Sequence, residues 1–300
     1  MEMNRVVTLT GEQIAEAVEE ILRERGHEIN LMYRTVWKNN AELKALTIRK
    51  NSGMSPTLYF TDESPEQLAD EILKVTKECS DPGFNFDIES IFSHQYFSNH
   101  LRPRLIPDTE LNRKGLEDSK IEWIPFGDTG LIILLEVTLE SRDSSTASFQ
   151  VSRVHLDQAG YTFTEALDRA IENLTGQMMI KSMKEVMAKI SGLPAEAMDE
   201  IFSDDSCPMW VVTTNDTHYG AACLLSKECF KVLSERVGVN QFYILPSSVH
   251  EVIAVPKTID FEISALLDMV REINETQVEP QERLGDAVYE LCDGILRKVA

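Results

Sequence analysis

The stretch Leu31-Met32-Tyr33-Arg34-Thr35-Val36-Trp37-Lys38-Asn39-Asn40-Ala41-Glu42-Leu43-Lys44-Ala45-Leu46-Thr47-Ile48-Arg49-Lys50 decides the fold class. Leu31 to Trp37 and Leu43 to Lys50 are strand-like, and they flank the turn-prone pair Asn39-Asn40, so the whole reads as a β-hairpin. Upstream, Thr10-Gly11-Glu12-Gln13 has capping-box spacing, Ile14, Val18, Ile21 and Leu22 recur at helical spacing, and Gly26 suits a left-handed stop. Downstream, Thr57 to Phe60 is a third strand. Ser64-Pro65-Glu66-Gln67 opens a helix whose buried stripe is Leu68, Ile72 and Val75. The chain thus opens with an αβββα unit ending near Cys79.

Further along, Phe84 to Phe97 reads as a short aromatic helix, and Arg102-Pro103-Arg104-Leu105-Ile106-Pro107 as extended, because its prolines exclude a helix interior. Strands are expected at Ile121 to Pro125, Leu131 to Leu139 and Ser148 to His155. Helices follow at Thr164 to Leu174, Lys181 to Ile190 and Pro194 to Phe202, with Met178, Met179, Met183 and Met187 as adaptable core. In the last third, strands are read at Trp210 to Thr214, Ala221 to Leu225, Gln241 to Leu245 and His250 to Val255. A helix runs from Ser226 to Val237. Two amphipathic helices close the chain, one on Ile263, Leu266, Val270 and Ile273, the other on Leu284, Val288, Leu291 and Ile295. Runs of strands followed by runs of helices give an α+β fold, with antiparallel or mixed sheets flanked by amphipathic helices. The polar stretch Asp108 to Lys120 marks a boundary between lobes 1–115 and 116–300, a single continuous domain being the alternative.

Composition excludes several classes. Apolar residues are 43% and charged residues 26% of 300, which is a globular balance rather than a disordered one. No run of eighteen apolar residues offers a membrane span, and the start lacks the uninterrupted apolar stretch of an export signal. Cys79, Cys207, Cys223, Cys229 and Cys292 are odd in number and contain no Cys-x-x-Cys pair, as free thiols in a cytoplasmic protein would be. Scattered histidines and the absence of nucleotide or metal-helix signatures leave no cofactor and no metal expected.

The formal net charge of −21 disfavours direct nucleic-acid binding. Acids gather between Ile190 and Ser226, where Glu196, Asp199, Glu200, Asp204, Asp205 and Asp216 stand without a single Lys or Arg. Read functionally, that is an acidic surface for a basic protein partner; read blandly, it is a solvated face.

The densest polar cluster beside apolar strands is Ser247-Ser248-Val249-His250-Glu251. A Ser nucleophile, a His base and a carboxylate orienter are the elements of nucleophilic hydrolysis or transfer. Against this, triad members normally converge from separate segments, and no Gly-x-Ser-x-Gly elbow is present. The bland reading is a turn opened by Pro246, its Ser hydroxyls satisfying backbone amides. Could Asp216 and His218 complete a site there? If Ala221 to Leu225 and Gln241 to Leu245 are parallel strands joined by the intervening helix, the two loops lie about 15–20 Å apart, one strand length. Asp204-Asp205 as a cation site, and Arg102 with Arg104 as an anion site, are the remaining candidates.

Leu245-Pro246-Ser247-Ser248-Val249-His250-Glu251-Val252 resembles the most distinctive stretch of a bacterial family catalogued only as a domain of unknown function. Leu46-Thr47-Ile48-Arg49-Lys50 with Pro56-Thr57-Leu58-Tyr59 is similar to that family's early strands, and Gly220-Ala221-Ala222-Cys223 to its late hairpin. Gly127-Asp128-Thr129-Gly130 departs from it, standing where a continuous apolar strand would be expected. The resemblance spans about Thr10 to Leu291. It implies a bacterial, gut-dwelling and often mobile-element setting, one shared architecture and no assigned activity. Three functions stay open: an acidic interaction protein, which in that setting could mimic nucleic-acid charge; a Ser247/Ser248–His250 hydrolase or transferase; and a scaffold self-associating through its terminal helices.

Overall fold

The computed structural model describes residues 9–49, 55–78, 88–139, 147–192, 209–258 and 261–300, which fall into two compact units, 9–78 and 88–300. The first unit is helix α1 (Gly11–Glu24), strands β1 (Leu31–Lys38), β2 (Ala41–Ile48) and β3 (Thr57–Phe60), and helix α2 (Pro65–Glu78). At the start of α1 the Thr10 hydroxyl accepts from the Gln13 N–H at 3.3 Å, and the Gln13 side chain accepts from the Thr10 N–H at 2.8 Å. The hairpin forms as read. Leu31 pairs with Ile48 and Lys38 with Ala41, while Asn40 takes the left-handed φ of 58° that the tight turn demands. Val18, Leu22, Leu46, Phe60, Leu68 and Ile72 close the core between helices and sheet. Burying each such side chain is worth about 1.5–3 kcal/mol.

The second unit begins with helices α3 (Ile88–Ile91) and α4 (His94–His100), strand β4 (Leu101–Pro107) and helix α5 (Glu110–Asp118). Strands β5 (Trp123–Pro125), β6 (Leu131–Leu139) and β7 (Ala147–Gln150) follow, then helices α6 (Arg153–Ala159) and α7 (Phe163–Thr175). β6 carries β4 on one side and β5 and β7 on the other, all antiparallel. Next come β8 (Met178–Ser182), α8 (Met183–Ser191), β9 (Trp210–Thr214), a 3₁₀ turn (Gly220–Leu225), α9 (Lys227–Val237), β10 (Gln241–Leu245) and β11 (Val252–Pro256). Helix α10 (Ile263–Thr276), a 3₁₀ turn (Pro280–Glu282) and strands β12 (Tyr289–Cys292) and β13 (Ile295–Lys298) complete it. These six strands form a second antiparallel sheet in the order β13-β12-β10-β11-β9-β8. The buried Tyr289 hydroxyl donates to the Thr129 carbonyl at 2.9 Å and ties the two sheets of this unit together. The fold is α+β, and among the described residues no helix is long and apolar enough to cross a membrane.

Several local expectations are corrected. Met178 and Met179 lie in strand β8, because Ser182, not Lys181, caps the following helix through a box with Glu185. The strand expected to His155 stops at Gln150, because Ser152 and His155 cap α6 reciprocally. Ala221 to Leu225 is a buried 3₁₀ turn, entered through the left-handed Tyr219 (φ 50°). The final amphipathic helix is absent. Asp293-Gly294, at φ 51° and 76°, turns β12 back onto β13 as a two-residue hairpin loop. Gly127-Asp128-Thr129-Gly130 forms the turn between β5 and β6, and the pairing beyond it is intact from Pro125↔Ile132 to Trp123↔Leu134. Asp108 to Lys120, read as a boundary, contains helix α5. Pro194 to Phe202, Cys79 and Cys207 lie outside the described residues.

Candidate functional site

β9 and β11 are antiparallel neighbours, with Val252 opposite Val212, so the loop leaving β9 meets the turn entering β11 at one end of the sheet. The expectation that these loops lie a strand length apart is therefore overturned. It assumed a strand at 221–225 and a parallel return, and neither exists. The Thr213 hydroxyl and the Gly220 N–H both donate to the His250 carbonyl, at 2.7 and 2.9 Å. The Tyr219 N–H donates to His250 Nδ1 at 3.2 Å. A ring nitrogen that accepts cannot carry the proton, so the neutral imidazole holds it on Nε2, 3.7 Å from the Glu282 carboxylate.

The 215–219 loop is built to hold His218 outward. The Thr214 hydroxyl accepts from the His218 N–H at 3.1 Å and donates to Asp216 at 2.8 Å. Thr217 and Tyr219, on either side of His218, both take left-handed φ, 56° and 50°. Non-glycine residues in that region store strain and cluster at functional sites. Gly220 follows because nothing larger fits: a Cβ there would meet the Thr213 hydroxyl, and lie 2.5 Å from the His250 carbonyl.

Two arginines complete the cluster. In extended β4, Arg102 and Arg104 point to one face with Pro103 between them. Arg102 donates to Asp216 at 2.5 Å. Arg104, only 8% exposed, lays its guanidinium 4.0 Å over the Tyr219 ring. Among the described residues its Nε has no hydrogen-bond partner. Glu136, opposite Arg102 on β6, is buried.

The histidine rings of 218 and 250 lie 5.1 Å apart, with Tyr219 stacked 5.2 Å from His250. Burial, then the His218 ring and Arg104, hold His250 below the ordinary histidine range against the pull of Glu282. Burial also lowers His218; Asp216 opposes, and Arg102 and Arg104 add to the lowering. Both imidazoles are thereby kept neutral near pH 7. Burial works to raise Asp216, but the hydrogen bonds from Arg102 and Thr214 outweigh it and hold the carboxyl below its usual value. Among the described residues no hydrogen bond reaches the ring nitrogens of His218, and the residue is exposed.

The Ser247–Glu251 segment does not converge into one site. The chain bends at Val249 and His250, and its polar side chains part to two sides. Ser248 and His250 turn toward the histidine cluster. There the Ser248 hydroxyl accepts from the His250 backbone N–H at 3.0 Å, as the turn reading anticipates, and no hydrogen bond joins it to the imidazole. Ser247 and Glu251 instead line an apolar cleft against helix α10. Glu196, Asp199, Glu200, Asp204 and Asp205 lie outside the described residues. Among the described residues no three His, Cys, Asp or Glu side chains stand close enough together to hold a metal.

A family model, described as a family of unknown function (DUF5688), matches residues 11–292. The chain belongs to DUF5688. Its match takes in the loop, the turn and both arginines of the cluster, so the site lies wholly within the DUF5688 region. No curated protein and no solved structure matches the chain. Sequence reasoning missed Tyr219 and Glu282 as partners of His250. It had no signal for them, since a 3₁₀ turn and a long-range bridge between Ser248 and Arg283 bring them in. Arg102 and Arg104 were readable, because Arg-Pro-Arg in an extended run places both on one face.

Proposed function

We propose that the His218–His250 cluster is a small-ligand site with acid–base capacity, in which His218 gains and loses the proton. One observation carries this reading: a neutral, exposed imidazole, its ring nitrogens without a hydrogen bond among the described residues, stands beside a second, fixed imidazole, on a loop strained at both flanking residues. Arg102 and Asp216 hold the loop, and Arg104 and Glu282 position Tyr219 and His250. Catalysis in this reading is general acid–base and not covalent through serine, since the Ser248 hydroxyl is engaged by backbone. A panel of chromogenic carboxylic, phosphoric and glycosidic esters tests it. Turnover that falls about 100-fold or more in His218→Ala and survives in Ser248→Ala supports the reading. No turnover, or turnover indifferent to His218, removes it.

A second reading rests on the net charge of −21. In it the chain presents acidic surface, including Glu196, Asp199, Glu200, Asp204 and Asp205, to a basic protein partner, in a cytoplasmic and mobile-element setting where imitation of nucleic-acid charge has a use. A partner held at low salt, released at moderate salt and displaced by duplex DNA supports it; capture indifferent to salt and DNA overturns it.

A further inference from the structure

The cleft beside the Ser247–Glu251 segment is separate from the histidine cluster and chemically different. Its volume is about 250 Å³, and it is lined by Leu245 and Ile253, by the face of α10 that carries Met269, Val270 and Ile273, and by Met183 and Met209. Seven of these nine lining residues are apolar, and three are methionines, whose flexible thioethers adapt to varied apolar shapes. The remaining two, Ser247 and Glu251, supply the only polar side chains among the described lining residues. Among the described residues no hydrogen bond or ion pair reaches the Glu251 carboxylate. Glu251 as a whole is solvent-exposed, but partial desolvation beside these apolar neighbours raises its pKa.

We infer that this cleft binds a small amphiphilic amine, its alkyl body among the methionines and Ile273 and its ammonium on Glu251, with the Ser247 hydroxyl as acceptor for a second N–H. Three arguments choose this class. An apolar pocket with one or two convergent polar groups is the ordinary form of a small-molecule site, and this volume holds a chain of about six to ten carbons. A carboxylate ligand of the same shape would set its charge beside the like charge of Glu251. A neutral alcohol would fill the cleft yet leave Glu251 without the cation that offsets its desolvation. The charge of −21 on the whole chain adds a long-range attraction for cations and repulsion for anions.

Calorimetric titration with n-octylammonium, n-octanol and n-octanoate at pH 7 and moderate salt tests the inference on the full chain. The expected order is octylammonium tightest, octanol weaker and octanoate undetectable. Glu251→Gln should weaken octylammonium about tenfold while leaving octanol unchanged. Met269→Trp, which fills the cleft and keeps the carboxylate, should abolish binding of both. Octanoate binding as well as octylammonium, octylammonium binding unaffected by both substitutions, or no binding by any of the three would each overturn it.

Discussion

Gly220 holds the histidine cluster together by having no side chain. Its N–H reaches the His250 carbonyl, and an added Cβ would lie 2.5 Å from that oxygen and from Thr213 Cα, both backbone atoms with little room to give. Gly220→Ala is therefore expected to cost about 2–4 kcal/mol in urea unfolding and to shift the imidazole resonances of both histidines. His250 makes a second prediction. Its Nδ1 accepts from the Tyr219 N–H, so protonation there sets two donors face to face beside His218 and Arg104, with Glu282 alone attracting the new charge. His155, His218 and His250 are all lowered, burial being the first cause of each. The unfolded chain then takes up protons before the folded one. Stability should be fully present above about pH 6.5 and decline as pH falls from there through the folded pKa values. Urea midpoints between pH 7.5 and 5 check this, and a flat profile would contradict it. Chemistry-bearing residue types were legible at this scale, for Ser247 to Glu251 stood out by its polarity alone. Which of them face one another was not, since that depends on whether β9 and β11 run parallel or antiparallel.

Among the elements, those with local signals were read correctly. Capping boxes at Thr10 and Ser64, the Asn39-Asn40 turn and the Arg-Pro-Arg strand each specify their structure within a few residues. The misread elements are those where two local signals compete. Leu284, Val288, Leu291 and Ile295 recur at helical spacing, but the Asp293-Gly294 pair between the last two sets a turn that fixes β12 against β13. That hairpin matters because β12 carries Tyr289, whose hydroxyl bridges to the Thr129 carbonyl and whose pKa burial pushes up to about 12. Tyr289→Phe leaves a buried carbonyl without this donor and is expected to cost about 1–3 kcal/mol, read by urea unfolding and by faster amide exchange in β6 and β12.

At the scale of the whole molecule, the two compact units imply two separately addressable stabilities. Leu46, fully buried in the first unit, packs with Val18, Leu22 and Ile72. Leu46→Ala should cost about 2–5 kcal/mol, and hydrogen exchange should place the added opening in residues 9–78. The α+β class was legible because it follows from the succession of elements. Long-range bridges such as Ser248 to Arg283 were not, because no local pattern records them.

The bend at residues 247 to 251 has one more consequence. Histidine and serine serve one wall, and serine and glutamate the other, from a single run of backbone. A change of backbone anywhere in this short bend would therefore disturb both places together, and neither could be reshaped here without touching the other.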